Sequence, residues 1–153
     1  MIRRRRRTRI LAKSVPALAA ELARLVEQEE AVEVLDPPHQ GLVMCQVRET
    51  ARNSRFYLGE ALMSECRVRV AGTEGLGAVL GPDGELARNM AVVDAALSAA
   101  TPLPVAAELE RRLLDAEAAL DRAQEREDAH VLSSRVSFDT MGGQDMSVQA
   151  VVK

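Results

Sequence analysis

Aromatic side chains are scarce in this chain of 153 residues, which has two Phe, one Tyr and no Trp. Stacking platforms for nucleobases and flat shelves for sugars are built from such rings, so neither kind of site is well supported. Buried apolar area must come instead from Leu, Val, Ala and Met. A chain of this length suits a single domain that buries a core of its own.

Cysteines and long apolar runs are also lacking. The two cysteines, Cys45 and Cys66, lie in apolar runs, which indicates buried reduced thiols rather than a disulfide framework or a metal cluster. No apolar run approaches the roughly 18 to 20 residues of a membrane span. Lys13, Pro16 and Glu21 interrupt any signal-peptide core after the basic start. We therefore expect a cytoplasmic protein without a membrane partner.

Positive charge is concentrated at the start of a chain that is otherwise acidic. Six arginines occur within residues 3–9, and residues 10–153 carry 14 Lys and Arg against 23 Asp and Glu, a net charge of −9. Like charges at a helix N-terminus oppose the helix dipole, so we interpret residues 1–9 as a solvated, frayed basic arm. Binding of nucleic-acid phosphates by these arginines is the alternative, although no nucleic-acid-binding motif accompanies them.

The clearest secondary-structure signals lie between residues 55 and 97. Apolar and polar residues alternate in CRVRVAG (66–72), which predicts a strand with one buried face. A turn over 72–75 and a return strand over 76–80 complete a hairpin. Asp83 then supplies the cap of a helix that covers this hairpin.

Further strands are predicted before the hairpin. Strand signals occur at 31–35, 41–47 and 55–58. Pro37 and Pro38 separate the first two, because proline cannot donate a hydrogen bond to a sheet. The second stretch has apolar residues in both alternating sets of positions, which predicts a central strand with both faces partly covered.

Two more amphipathic helices complete the predicted fold. One runs over 16–29, and a long charged helix with a narrow apolar seam runs over about 105–132. We expect a single α+β domain over residues 10–141, with a four- or five-stranded antiparallel sheet covered by two to three helices. A flexible tail over 142–153 follows.

The sequence shows no set of side chains with catalytic or metal-ligand spacing. His39 follows two prolines and His130 lies late in a charged helix, so neither has a paired ligand. The glycine-rich stretch at 72–84 lacks the spacing of a phosphate-binding loop. We assign no catalytic residue and no metal ligand. Four charged residues are placed on the solvent side of the sheet, facing a triphosphate, an acidic neighbour or water: Arg55, Glu60, Arg67 and Arg69.

The stretch SSRVSFDTM (133–141) is the last informative one. Its apolar and polar residues alternate, which predicts an extended segment. Such a segment is either an edge strand of this domain or an arm that pairs with a partner. The candidate partner-binding residues are Arg135, Val136, Phe138, Asp139 and Met141.

Three blocks of the chain together resemble a known family. In this order, RFYLGEALMSECRVRV, GLGAVLGPDGELARNMAVVDAAL and SSRVSFDTM are similar to the G subunit of the bacterial carbon-phosphorus lyase core complex, the PhnG family. The resemblance extends over residues 10–141. It departs at the ends, where the arginine run is unlike the family and Gly142-Gly143-Gln144-Asp145 stands where the family tends to have a basic residue with glycine and aspartate.

The resemblance implies a subunit that assembles with H, I and J subunits. With an L subunit, that complex displaces adenine from ATP by an alkyl phosphonate and yields alpha-D-ribose 1-methylphosphonate 5-triphosphate. The resemblance therefore implies ATP as a co-substrate of the complex, no cofactor bound by this chain alone, and an assembly or accessory role. Two alternatives stay open, a nucleic-acid-binding adaptor that uses the arginine run and a stand-alone enzyme.

Overall fold

The computed structural model describes residues 2–133 and has an α+β fold, as predicted. The three strands form one antiparallel sheet in the order β1-β2-β3. Packing divides the chain after Asp121, so that the first compact unit holds everything described except the last turns of the final helix. The elements in chain order are α1 (Arg4–Lys13), α2 (Pro16–Glu29), β1 (Val32–Arg48), β2 (Arg55–Val70), β3 (Thr73–Leu80), α3 (Gly84–Ser98) and α4 (Ala106–Ser133).

The sheet has three strands, so the predicted number of four or five is wrong. β1 passes Pro37 and Pro38 through two register shifts between Val34 and His39. β1 also lies at the edge of the sheet, where proline and bulges are tolerated. The prolines therefore interrupt the pairing without ending the strand. Two pairs of predicted strands are each one continuous strand: 31–35 with 41–47 in β1, and 55–58 with 66–70 in β2.

The turn between β2 and β3 is shorter than predicted. It consists of Ala71 and Gly72 alone, with φ angles of 47° and 75°. Two central residues with positive φ are typical of a type I′ turn, whose twist matches that of the two flanking strands. The predicted hairpin is thus present, but its turn begins one residue earlier and ends three residues earlier than predicted.

α3 lies directly on β2 and β3. Its close approach depends on two glycines of β3. A Cβ atom added at Gly77 would lie 1.8 Å from the carbonyl oxygen of Ala87, and one added at Gly75 would lie 2.2 Å from that of Ala91. These glycines therefore serve helix packing rather than phosphate binding, since a side chain at either position would collide with the helix backbone.

A second helical layer covers the outer side of α3. α1 and α2 both pack on α3, and their apolar faces bury Ile10, Leu22 and Val26 completely. The first half of α4 contributes Leu109 and Leu113 to the same core. Within residues 2–133, this core contains no aromatic side chain. Across the same residues, no helix has the length and apolar character required to span a membrane.

Candidate functional site

The sheet extends beyond its helical cover as a two-stranded ribbon, which we call the β arm (residues 40–62). β3 ends at Leu80, opposite Met63 of β2. The N–H of Gly81 still donates to the carbonyl oxygen of Leu62 at 2.8 Å. Beyond Leu62, within residues 2–133, β1 and β2 pair with each other alone, through residues 42–48 and 55–62. A two-stranded ribbon alone is marginally stable in water, so the surroundings of its side chains decide what the β arm does.

One face of the β arm continues the face that α3 covers in the body of the sheet. Cys66 and Ser64 of β2 are fully buried on that face. Alternate residues of a strand share a face, so Leu62 follows Ser64, and Leu62 pairs with Leu42. Leu42 is nevertheless 64% exposed, and Met44 next on this face is 56% exposed. The apolar surface of β1 therefore continues where the helical cover ends, with Glu60 of β2 opposite Met44.

The opposite face of the β arm is apolar as well. Val43 pairs there with Ala61, and Cys45 pairs with Gly59. Val43 is exposed, whereas Cys45 is half-buried. Both faces of the ribbon therefore present apolar groups to solvent, which is unusual for a sheet of a self-contained domain.

The aromatic residues of the described chain lie on the β arm. Phe56 and Tyr57 are 46% and 60% exposed, and as neighbours in a strand they point to opposite faces. Aromatic residues, Met and Arg are enriched in protein interfaces and dominate their binding energy. Within residues 2–133 the core contains no ring, whereas the β arm exposes two, which is the composition of a protein-binding surface.

The stretch 41–47 is not a central strand, so that prediction is wrong. It forms the outer strand of the β arm, and most of its side chains are exposed. Its apolar character at both alternating sets of positions predicts burial on two sides. That pattern does not indicate whether the groups that bury these side chains belong to the same chain. Within residues 2–133, no part of the chain buries them.

The tip of the β arm is basic. Residues 48–55 carry three arginines and one glutamate, a net charge of +2. Arg48 donates to the side-chain oxygen of Asn53 at 2.8 Å, and Glu49 accepts from the hydroxyl of Ser54 at 2.9 Å. The glutamate is thus held by a serine, and the arginines remain available to an acidic neighbour.

The arginine run is part of α1. The solvated, frayed end that the sequence predicts is therefore wrong. Arg4 and Arg7 both donate to the carboxylate of Asp94 on α3, the latter from Nη2 at 2.7 Å. Burial alone would raise the pKa of Asp94, but the hydrogen bonds from Arg4, Arg7 and the backbone N–H of Leu76 outweigh it and lower that pKa. These charges stabilise the packing of α1 on the body.

A second carboxylate binds two more of the arginines. Arg6 and Arg9 donate to Glu117 of α4, each at 3.0 Å. The hydrogen bond from Arg6 is the main cause that lowers the pKa of Glu117. Four of the six arginines are therefore engaged with carboxylates of the protein, which reduces the free basic surface on which the nucleic-acid alternative depends.

The other residues singled out from the sequence have structural surroundings. Asp83 accepts from the backbone N–H of Leu86 at 2.9 Å, which confirms it as the cap of α3. Arg69 lies between Glu33 and Glu74 at 2.9 and 2.8 Å, so its acidic neighbours belong to the same chain. Burial raises the pKa of the Cys66 thiol. Residues 2–133 contain no group of three or more side chains able to hold a metal ion.

The predicted partner-binding residues lie outside the described residues 2–133, as does the predicted boundary at 141. They stay predictions: Arg135, Val136, Phe138, Asp139 and Met141. The β arm is an exposed apolar surface within the described residues, and the sequence did not lead us to predict it. Two of the three aromatic residues of the chain, Phe56 and Tyr57, are neighbours in the sequence. This clustering could have indicated a binding surface at that point.

Comparison with protein families places the chain in phosphonate metabolism. A family model described as phosphonate metabolism protein PhnG matches residues 2–143 of the 153-residue chain. The match begins before α1 and includes every strand and helix described above. It therefore covers both the arginine-bearing helix and the β arm. The chain belongs to the PhnG family of phosphonate metabolism proteins.

Proposed function

We propose that this chain is the G subunit of a carbon-phosphorus lyase core complex and that it works in the cytoplasm. It assembles with the H, I and J subunits. With the L subunit, the complex displaces adenine from ATP by an alkyl phosphonate to give alpha-D-ribose 1-methylphosphonate 5-triphosphate. In this proposal ATP is the co-substrate of the complex, the chain holds no cofactor of its own, and its role is assembly or another accessory task.

The observation that carries this proposal is the β arm of a PhnG-family chain. Its two faces expose Leu42, Val43, Met44, Phe56 and Tyr57 together. Exposed apolar patches of this kind mark protein interaction sites. In a complex, a partner subunit covers these apolar side chains after assembly, so they do not remain exposed to water.

Two buried carboxylates, Asp94 and Glu117, also support an accessory role. Asp94 and Glu117 have lowered pKa values because arginines of α1 donate to them. Ion pairs formed within one chain perturb pKa values, and removing one partner of a buried pair destabilises the chain. Perturbed pKa values here therefore have a structural explanation that needs no bound substrate.

The experiment is co-expression with the H, I and J subunits of the same genome, with an affinity tag on this chain only. We expect stoichiometric capture of all three, with light scattering showing one defined assembly. Reconstitution with the L subunit, ATP and methylphosphonate should release adenine, and the release should fall when this chain is omitted. A chain that elutes alone, together with adenine release that does not need it, would overturn the proposal.

The terminal segment is tested in the same assay. We propose that Arg135, Val136, Phe138, Asp139 and Met141 contact a partner subunit. Changing Val136 and Phe138 to Asp should then reduce capture. Full capture of that double variant would show that this segment is not needed for assembly and would leave the β arm as the candidate contact.

A further inference from the structure

The β arm has an open edge in addition to its apolar faces. β1 is the outer strand of the sheet, and its inner side pairs with β2 over residues 40–48. Within residues 2–133, no backbone group outside β2 pairs with residues 40–47 of β1. Every second N–H and C=O group there points away from the sheet, ready to pair with another strand.

The two halves of this edge differ in how they are protected. The half next to the body has Pro37 and Pro38, two register shifts, and the charged residues Glu33 and Asp36. These are the features by which proteins prevent their edge strands from pairing with other chains. The half on the β arm has no proline and no charge over residues 40–47. Its register runs unbroken from Gln40 to Cys45, and its one register shift, between Cys45 and Gln46, places the extra residue in β2 rather than in the edge strand.

We infer that residues 40–47 of β1 pair with a β-strand of another subunit, which adds a strand to the sheet of this chain. The inference rests on the proposed function, since it names the surface by which the complex engages this subunit. Strand addition supplies main-chain hydrogen bonds to the open edge, and the side chains on either side of the added strand meet the two apolar faces. The unprotected half of the edge is the part that such a strand occupies.

The chemistry of the β arm describes the partner strand. The partner strand carries apolar side chains on both of its faces. Those on one face lie beside Leu42 and Met44, and those on the other lie beside Val43. The surface that follows it towards the tip is acidic, because residues 48–55 have a net charge of +2 and complementary charge is a rule of interfaces.

A different subunit fits these requirements better than a second copy of this chain. Pairing of two copies edge to edge would satisfy the open N–H and C=O groups of β1. It would add no cover over Phe56 and Tyr57, which lie on β2, the other strand of the arm. A larger subunit can supply the strand, the cover for both faces and the acidic surface together.

Lysine substitutions test the edge in the full complex. Leu42→Lys and Val43→Lys each place one charge on one face of the outer strand, and Leu114→Lys on α4 is the control, because Leu114 is 44% exposed and lies far from the arm in sequence. With the tagged chain co-expressed with H, I and J, we expect the arm variants to bind about 30-fold more weakly. The control should bind like the unchanged chain.

Amide hydrogen exchange distinguishes strand pairing from contact by side chains alone. In the captured complex, the outward N–H groups of residues 40–47 should exchange at least about 100-fold more slowly than in the isolated chain, at every second residue. Equal exchange in both states, or lysine variants captured as well as the unchanged chain, would overturn the inference while leaving the proposed function intact. If the unchanged chain captures no subunit, the proposed function fails and the inference with it.

Two further outcomes identify a different occupant of the edge. A dimer of the isolated chain that Val43→Lys dissociates would assign the edge to a second copy. Protection of residues 40–47 in the isolated full chain, lost in a chain that ends at residue 133, would assign it to the C-terminal segment of the same chain. Either result would overturn the inference.

Discussion

Arg7 of α1 is buried against Asp94 of α3, with its Nη2 atom 2.7 Å from Oδ1 of the carboxylate. The same guanidinium donates to the carbonyl oxygen of Leu97 at 3.3 Å, and the carboxylate also accepts from the backbone N–H of Leu76 in β3 at 3.1 Å. A single acidic side chain thus joins the first helix, the helix that covers the sheet and an edge strand of that sheet.

Removal of this carboxylate should destabilise the protein strongly. Asp94→Ala leaves Arg7, which is 4% exposed, without its acidic partner. An uncompensated buried charge of this kind lowers the free energy of unfolding by about 3–5 kcal/mol, measured by urea denaturation of the purified chain. Glu27→Ala is the matched control, because Glu27 pairs with Arg88 where both side chains are a third exposed, and such a pair contributes about 1 kcal/mol or less. Equal losses in the two variants would contradict this account.

The same pair predicts how stability depends on acid. The pKa of Asp94 in the folded protein lies below its ordinary value of 3.8, so the folded state binds a proton less readily than the unfolded chain does. The ion pair therefore contributes its full stability above the pKa of the unfolded chain, and this contribution is lost as pH falls towards the folded pKa.

Urea denaturation at a series of pH values from about 6 down to 2.5 measures this loss. Other carboxylates with lowered pKa values, such as Glu117, titrate in the same range, so the comparison with Asp94→Asn isolates the contribution of Asp94. We expect the free energy of unfolding to fall more steeply in the unchanged chain than in the variant. Parallel curves would show that Asp94 does not titrate with a lowered pKa.

Local sequence signals predicted the parts of this fold that depend on neighbouring residues. The Asp83 cap, the start of α2 at Pro16 and the hairpin of β2 and β3 all follow from short-range rules of capping, φ preference and alternation. The pairing of Arg7 with Asp94 joins residues 87 positions apart. No local pattern encodes such a contact, so an arginine run that ends in buried ion pairs resembles a solvated one.

The β arm shows a second limit of sequence reasoning. Residues 41–47 have apolar residues in both alternating sets of positions, which predicts a central strand with both faces partly covered. The pattern reports that these side chains avoid water in the working state of the protein. It does not report which chain covers them, and so a strand that binds a partner resembles a central strand of the same domain.

Gly77→Ala should separate α3 from the sheet. The added Cβ atom would lie 1.8 Å from the carbonyl oxygen of Ala87, and a helix backbone cannot yield as the end of a side chain can. We expect the free energy of unfolding to fall by about 3 kcal/mol, the upper range for overpacking a core. Gly59→Ala is the control, because an added Cβ there meets nothing within 4 Å. A Gly77→Ala variant as stable as Gly59→Ala would contradict the close approach of helix and strand.

The exposed rings of the β arm should strengthen binding to a partner subunit and lower the solubility of the isolated chain. Changing Phe56 and Tyr57 to Ser removes two exposed aromatic side chains that do not belong to the core of the described chain. The free energy of unfolding of the isolated chain should therefore stay within about 0.5 kcal/mol of the unchanged chain, as for most surface substitutions.

Light scattering of the isolated double variant should show less self-association, because the apolar area available for non-specific contact is smaller. Capture of the H, I and J subunits should weaken at the same time, since exposed aromatic residues at an interface carry a large share of its binding energy. The pair Val15→Ser and Leu114→Ser, taken from exposed positions at the N-cap of α2 and on α4, removes apolar side chains outside the arm and should affect neither property. If the double variant of the rings unfolds more easily than the unchanged chain, Phe56 and Tyr57 stabilise the isolated chain itself. The β arm would then belong to the core of the fold, and its role as a partner-binding surface would be contradicted.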